Sequence, residues 1–455
     1  MIIVSSSELR LDLRDLSPGV LASIQNELSF PNPEYLAAQK AGRWTGRLDE
    51  LIHATEIEEQ ALYLPRGCQG WLVGYLQARG LAVEVVDYSG LGSPLIVGDL
   101  RQPLRDYQAE AVDALCAARQ GLGVAPCGAG KTQIGVATIQ RLGRSALVLV
   151  HTQDLVDQWR ERIRTVLGLE AGVVGGGKRD VQPVTVATVQ TLDRWSAAEV
   201  ERFGAGFGVV IVDEAHHGPA RTYRRLLALL SCRYRYGLTA TPERDDGLTP
   251  LLGWTFGPIL HTVERGRLID CGALVAPRRV ALRTGFRWDG DPVADYSGLV
   301  SALVDDPDRN AQIVDLAGQL VRSGETVLVL SSRVEHCERL ATLLQEAGTA
   351  AVAVTGTLCA KRRKAALAQA RTGGIRCLIA TQLADEGLDV PRLSALILAA
   401  PSRAAGRTIQ RIGRIMRPAP GKEDPVVYDL VDAEIGLLQS QAWSRARAFR
   451  RAVGQ

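Results

Sequence analysis

Short runs of β-branched and other apolar residues recur along the chain, separated by stretches with the three-to-four-residue apolar spacing of helices. From about residue 105 to 275 the runs ALVLVH, VTVATV, FGVVIVDEA and YRYGLTATP alternate with QIGVATIQRLG and TYRRLLALL. Consecutive apolar positions predict strands covered on both faces, and their alternation with helices predicts βαβ units in a parallel sheet. We therefore expect an α/β lobe over 101–275. The stretch RTGFRWDGDPVADYSGLVSALVDDPDRNA, rich in Gly, Pro and Asp, breaks that rhythm and reads as part of an inter-lobe linker over 276–311. The alternation then resumes with TVLVLSS, AVAVTG, IRCLIAT and ALILAAP, predicting a second α/β lobe over 312–433 and an Arg-containing helical tail over 434–455. Before the first lobe, GWLVGYLQARG reads as a helix closed by Gly80, and LAVEVVDY as a strand. A small α/β domain over 1–95 follows, bounded by the Gly/Pro/Ser-rich segment 88–102.

A length of 455 residues suits about three domains, and 46% hydrophobic with 23% charged residues lets each bury a core. The N-terminal MIIVSSSELR lacks the apolar core of a signal peptide, and no apolar run reaches the roughly 18 residues of a membrane span. The expectation is an intracellular, cytoplasmic protein. Eight cysteines form no CxxC pair, so they read as reduced core residues and predict no metal site. Charge is uneven: residues 1–100 hold seven Lys or Arg against thirteen Asp or Glu, a net of −6, which leaves +9 on the rest of a chain of net +3.

The basic part carries the chemistry. APCGAGKT, Ala125 to Thr132, lies between the apolar GLGVA and a helical stretch. A Gly-rich turn entering a helix N-terminus (Cys127, Gly128, Ala129, Gly130) aims backbone N–H groups at phosphates. Lys131 would neutralise the β/γ charge, and Thr132 offers a hydroxyl to Mg²⁺. Some eighty residues on, VVIVDEAHH ends a buried strand in Asp213 and Glu214, with His216 close behind. One carboxylate can hold the Mg²⁺ and its neighbour polarise the attacking water. In the second lobe QRIGRIMRP places Arg414 and Arg417 three apart, sharing a helix face, where guanidinium groups can meet charge building on a γ-phosphate.

These segments together resemble the motifs of the superfamily 2 helicases, with further matches in order over residues 104–418. The resemblance implies two tandem RecA-like lobes, with ATP and Mg²⁺ as cofactors. It places Arg105 and Gln108 of LRDYQ on the adenine base, and TATP at 239–242 in coupling hydrolysis to movement. Thr152 and Gln153 of VHTQDLVDQW, Thr188 of VATVQTL, Arg333 of VLSSR and Thr381 of ATQLADEGLDVP are implied as nucleic-acid contacts. Gly387 and Asp389 would face the nucleotide. DEAH followed by GLTATPERDDG is similar to the XPB and phage UvsW branch, whose members act on DNA. There Arg244, Asp245 and Asp246 stand where that branch carries Arg-Glu-Asp, so a strand-wedge role for Arg244 is suggested.

The implied partner is single-stranded or branched DNA, with RNA open because the motor grips backbone in either case. The implied activity is an ATP-dependent DNA helicase of repair or recombination. A duplex translocase that separates no strands, or an RNA helicase, is the alternative. KAGRWTGR, Lys40 to Arg47, interleaves basic residues with Trp44 in the acidic domain; the indole either stacks on an exposed base or caps its own domain.

Overall fold

The computed structural model describes residues 1–453 apart from 219–220, 243–246, 382–389, 402–411, 414 and 423. The chain forms two compact units, one of residues 1–125 and 130–263, the other of 264–455 with the tetrapeptide 126–129.

The first unit opens with seven short strands: β1 (Ile2–Ser5), β2 (Glu8–Asp12), β3 (Ser29–Pro31), β4 (Leu51–His53), β5 (Glu56–Glu58), β6 (Ala61–Pro65) and β7 (Glu84–Asp87). Five of them make a sheet in the order β5-β6-β2-β1-β7, antiparallel except for the β1–β7 pair, and β3 pairs with β4. Period-two alternation in β2 turns Leu9 and Leu11 inward beneath the helix Gln69–Gln77, whose Leu72 and Leu76 complete the small core.

Eight strands follow: β8 (Gln120–Val124), β9 (Ala146–Val150), β10 (Gly172–Gly175), β11 (Lys178–Asp180), β12 (Val184–Thr188), β13 (Val209–Asp213), β14 (Tyr234–Thr239) and β15 (Ile259–Thr262). Their order is β11-β10-β12-β9-β13-β14-β8-β15, parallel throughout except for β11. Every residue of β9, β12 and β13 is buried, as helices on both faces require.

The small domain is docked on this sheet through backbone. Arg66, 2% exposed, donates to the carbonyls of Ser6, Cys232 and Arg233, while Arg235, also 2% exposed, donates to those of Ser7, Leu227 and Leu230. Burial, followed by the Arg66 charge, brings Arg235 down to about 9. At Gly67 a Cβ would stand 2.4 Å from the Trp254 carbonyl, so only glycine allows that approach. Phe30 meets Trp254 edge to face at 5.7 Å.

In the second unit, β16 (Arg278–Arg283), β17 (Val327–Ser331), β18 (Ala351–Val354), β19 (Cys377–Thr381), β20 (Ala395–Leu398) and β21 (Val426–Val431) form a fully parallel sheet, ordered β16-β21-β20-β17-β19-β18. One expectation needs correction here. The stretch 276–311 is not simply a linker: β16 is an edge strand of the sheet, and the helix Tyr296–Asp305 buries Leu299 and Leu303 in a core shared with Phe286, Ile435 and Leu438. The helix Gly436–Val453 lies against β21, with Arg445 donating to Asp429 Oδ1 at 2.7 Å. A Gly/Pro/Asp-rich composition hid the packed elements of 276–311, because the apolar side chains that seat them are spread thinly along the sequence.

Candidate active site and nucleic-acid contacts

The Gly-rich turn joins β8 to the helix Lys131–Leu142, at the carboxyl end of the sheet, where parallel strands gather ligands. Gly128 (φ +90) and Gly130 (φ +84) take the left-handed conformation, and the Ala125 amide donates to the Thr239 carbonyl at 2.9 Å, tying the turn to β14. A Cβ at Gly130 would stand 2.5 Å from Gln108 Nε2. Gln108 is therefore buried against the turn, its Oε1 accepting from the Arg105 amide at 3.0 Å, while Arg105 Nη1 donates to the Tyr107 hydroxyl at 3.3 Å. Thr132 is half-buried in the first turn of the helix.

Asp213 ends β13 and is 3% exposed; its Oδ2 accepts from Trp159 Nε1 at 2.7 Å and its Oδ1 from the Glu214 amide at 2.9 Å. Burial pushes the Asp213 carboxyl up, and the neighbouring Glu214 charge adds to this against the pull of Lys131. Glu214 follows at φ +50, a conformation unusual for any residue but glycine and one that re-aims its carboxylate. Its Oε1 lies 3.4 Å from Lys131 Nζ and its Oε2 lies 3.5 Å from His216 Nδ1. Burial opposes charge on Glu214 too, but Lys131, His216 and His151 outweigh it and hold the group below the usual carboxylate range. His216 Nδ1 is also 3.3 Å from Thr239 Oγ1, which donates to the Thr241 carbonyl at 2.9 Å. One polar chain thus runs from Lys131 through Glu214 and His216 to the TATP segment.

This donor set fits a Mg²⁺-bound nucleoside triphosphate. Glu214 Oε2 is buried and accepts no hydrogen bond among the described residues, and the two left-handed glycines precede an N-terminus of twelve helical residues. Thr132 and Asp213 are the oxygen ligands suited to a hard cation, which would supply charge neutralisation at the β/γ phosphates.

Gln153 and Thr188 converge on one turn, with Thr152 next to Gln153 in the chain. The Thr152 hydroxyl caps the helix Gln153–Leu167 by accepting from the Leu155 amide at 3.3 Å. A Cβ at Gly176 would stand 2.9 Å from Gln153 Oε1, and one at Gly175 2.8 Å from Thr188 Oγ1. The turn itself, Gly175 to Gly177 followed by Lys178 and Arg179, escaped sequence reading; its signal is three successive glycines before two cations, a form suited to close approach of a phosphate backbone. Trp159 was missed as well, being indistinguishable by pattern from a core aromatic.

In the second unit Arg333 precedes the helix Val334–Glu346 and donates to Ser297 Oγ at 3.3 Å. Thr381 ends β19 with its hydroxyl buried and unpartnered among the described residues. Arg417 is half-buried, and its carbonyl accepts from Lys422 Nζ at 2.7 Å. Arg244, Gly387, Asp389 and Arg414 lie outside the described residues.

Among known families, the Type III restriction enzyme res subunit model matches residues 101–244 and the helicase conserved C-terminal domain matches 309–419. The DNA 3'-5' translocase XPB2 of Sulfurisphaera tokodaii is 30% identical over 379 residues, covering 75% of this chain and 84% of that protein. The DNA 3'-5' helicase XPB of Kineococcus radiotolerans is 27% identical over 459 residues, covering 95% of this chain and 75% of its own. Among solved structures, yeast Dbp5 bound to RNA shares the fold with a TM-score of 0.55 at 15% identity, over 78% of this chain and 88% of its own. By the XPB translocase match, which spans most of that relative's length, and by the motifs above, the chain belongs to the XPB branch of the superfamily 2 DNA helicases, ATP-dependent enzymes built on two RecA-like lobes.

Proposed function

We propose that the protein moves along DNA in the 3'-to-5' sense and remodels branched DNA in repair or recombination. The polarity rests on the names of its relatives. Thr132 and Asp213 hold Mg²⁺, Lys131 meets the phosphates, Glu214 polarises the attacking water, and Gln108 with Arg105 recognises the base. Gly387 and Asp389 face the nucleotide, while Arg414 and Arg417 of the second unit meet charge on the γ-phosphate in the transition state. Thr152, Gln153, Thr188, Arg244, Arg333 and Thr381 contact the nucleic acid.

The observation that supports coupling is the polar chain Lys131–Glu214–His216–Thr239, which links the lysine of the phosphate turn to the TATP segment. Lys131→Ala and Glu214→Gln should each abolish turnover, with Glu214→Gln still binding ATP. Normal hydrolysis by either would sink the assignment.

The docked acidic domain selects substrate shape. Trp44 is 75% exposed, with the Arg47 guanidinium 5.8 Å from its ring centre, so the indole is presented to solvent rather than capping its domain. Trp44→Ala should lower the preference for forked over linear DNA while ATPase stimulation by plain single strands persists; an unchanged preference would remove Trp44 from the reading. The restriction-subunit match favours a second reading, a duplex translocase that separates no strands. ATPase assays with single-stranded, duplex and forked DNA and with RNA, paired with strand-displacement assays, separate the two and test RNA.

A further inference from the structure

The helix Gly436–Val453 contains four arginines and no acid. Its inner face is fixed by Leu438, Ala442, Ala448 and Phe449 and by Arg445, 4% exposed on its side chain, which donates to Asp429 Oδ1 at 2.7 Å while Arg279 takes Oδ2 at 2.6 Å. That buried arrangement sets the rotation of the helix. Positions 440, 443, 447, 450 and 451 are consequently exposed: Ser440, Trp443, Arg447, Arg450 and Arg451. Trp443 is 62% exposed, one turn ahead of Arg447.

Two ordinary explanations fall short. A solvated helix face usually mixes charge signs, because like charges at i,i+4, here Arg447 and Arg451, destabilise. A cation near a helix C-terminus does complement the dipole, but Arg265 Nη1 already reaches the Arg451 carbonyl at 3.4 Å, and the dipole gives no reason for an exposed indole. Phosphates with an unpaired base account for both, guanidinium groups gripping backbone and the indole stacking on the base. From 443 to 451 the helix rises about 12 Å, three or four nucleotides of a strand at about 3.4 Å each.

We propose that this face is a second single-strand binding site, outside the motor motifs, with Trp443 as the stacking platform and Arg447, Arg450 and Arg451 as phosphate contacts. It rests on the nucleic-acid reading above and adds a place for a strand.

The test is fluorescence anisotropy of the full chain with a labelled oligothymidylate across a salt series. Three lost contacts on a single strand should flatten the log–log salt slope of Arg447→Gln/Arg450→Gln/Arg451→Gln by about 2. The triple Lys variant should keep most of the slope, and Trp443→Ala should weaken binding about tenfold. DNA-free ATPase activity and the melting temperature should match wild type in all three. An unchanged slope in the folded Gln triple variant, with wild type binding normally, overturns the site and leaves the helicase reading intact. Wild type failing to bind any DNA overturns both. A Lys triple variant as impaired as the Gln one makes the arginines structural and overturns the site. So does loss of poly-glutamate binding with DNA binding untouched, which assigns the face to an acidic protein.

Discussion

Trp159→Phe removes a single hydrogen bond at the centre of the proposed ATP site. The indole is fully buried and its Nε1 is the donor to Asp213 Oδ2, at 2.7 Å. Phenylalanine keeps an aromatic ring in the pocket but is shorter, drawing back from Gly135, where a Cβ would stand 2.5 Å from the far edge of the indole, and it removes the donor. A hydrogen bond to a charged group contributes about 1.5–3 kcal/mol, and the space left where the benzo edge stood adds to the loss, so about 3 kcal/mol of stability should go. The greater effect should be functional. Among the described residues the carboxylate then keeps only the Glu214 amide, on its other oxygen, and can swing. Removing a partner that orients a metal ligand typically costs 10–100-fold in metal affinity or activity. A Mg²⁺ titration of DNA-stimulated ATPase activity should show the half-saturating Mg²⁺ raised about tenfold or more, with turnover partly restored at high Mg²⁺. If the titration overlays wild type while stability falls, Trp159 is a core residue only and the orienting role is refuted.

Gly130→Ala puts a Cβ at φ +84 and into the Gln108 amide; it should raise the KM for ATP about tenfold and blunt discrimination between ATP and GTP, read by steady-state kinetics. Arg66→Met leaves the carbonyls of Ser6, Cys232 and Arg233 without that donor and should cost about 3 kcal/mol, with Phe30 and Trp254 losing protection together in hydrogen exchange. His336 is buried between Ser331 Oγ and Asn310 Oδ1, each at 2.8 Å, and burial, followed by the Arg309 and Arg339 charges, brings it down to about 3. Its folded value lies below its unfolded one, so below about pH 6.5 the unfolded chain binds more protons and stability is lost as pH falls. About 3 kcal/mol should go between pH 6.5 and 4, and His336→Gln should remove that acid slope in urea titrations.

The strands were legible where apolar runs are dense: ALVLVH, VTVATV and FGVVIVDEA are β9, β12 and β13, each buried on both faces. Edges were not. β16, RRVALR, sets only three apolar residues between arginines and leaves much of its surface in solvent as an edge strand can, and nothing local distinguishes that from a linker. At the site, the phosphate turn and the acidic pair follow from local order, since strand, turn and helix are contiguous. Trp159 and the Gly175–Gly177 turn depend on packing between distant segments, which a pattern along one chain does not encode. Trp44 stood open between a stack and a cap until its exposure favoured presentation to solvent.

Arg66 and Arg235 grip main-chain oxygens, which every residue type supplies. The side chains at Ser6, Ser7, Leu227, Leu230, Cys232 and Arg233 are not what the guanidinium groups read. Drift at those positions can therefore proceed without undocking the small domain, provided the two arginines and the glycine at 67 persist. Relatives should keep the domain in place long after the sequences around it have ceased to align, and three positions would identify the joint where overall similarity does not.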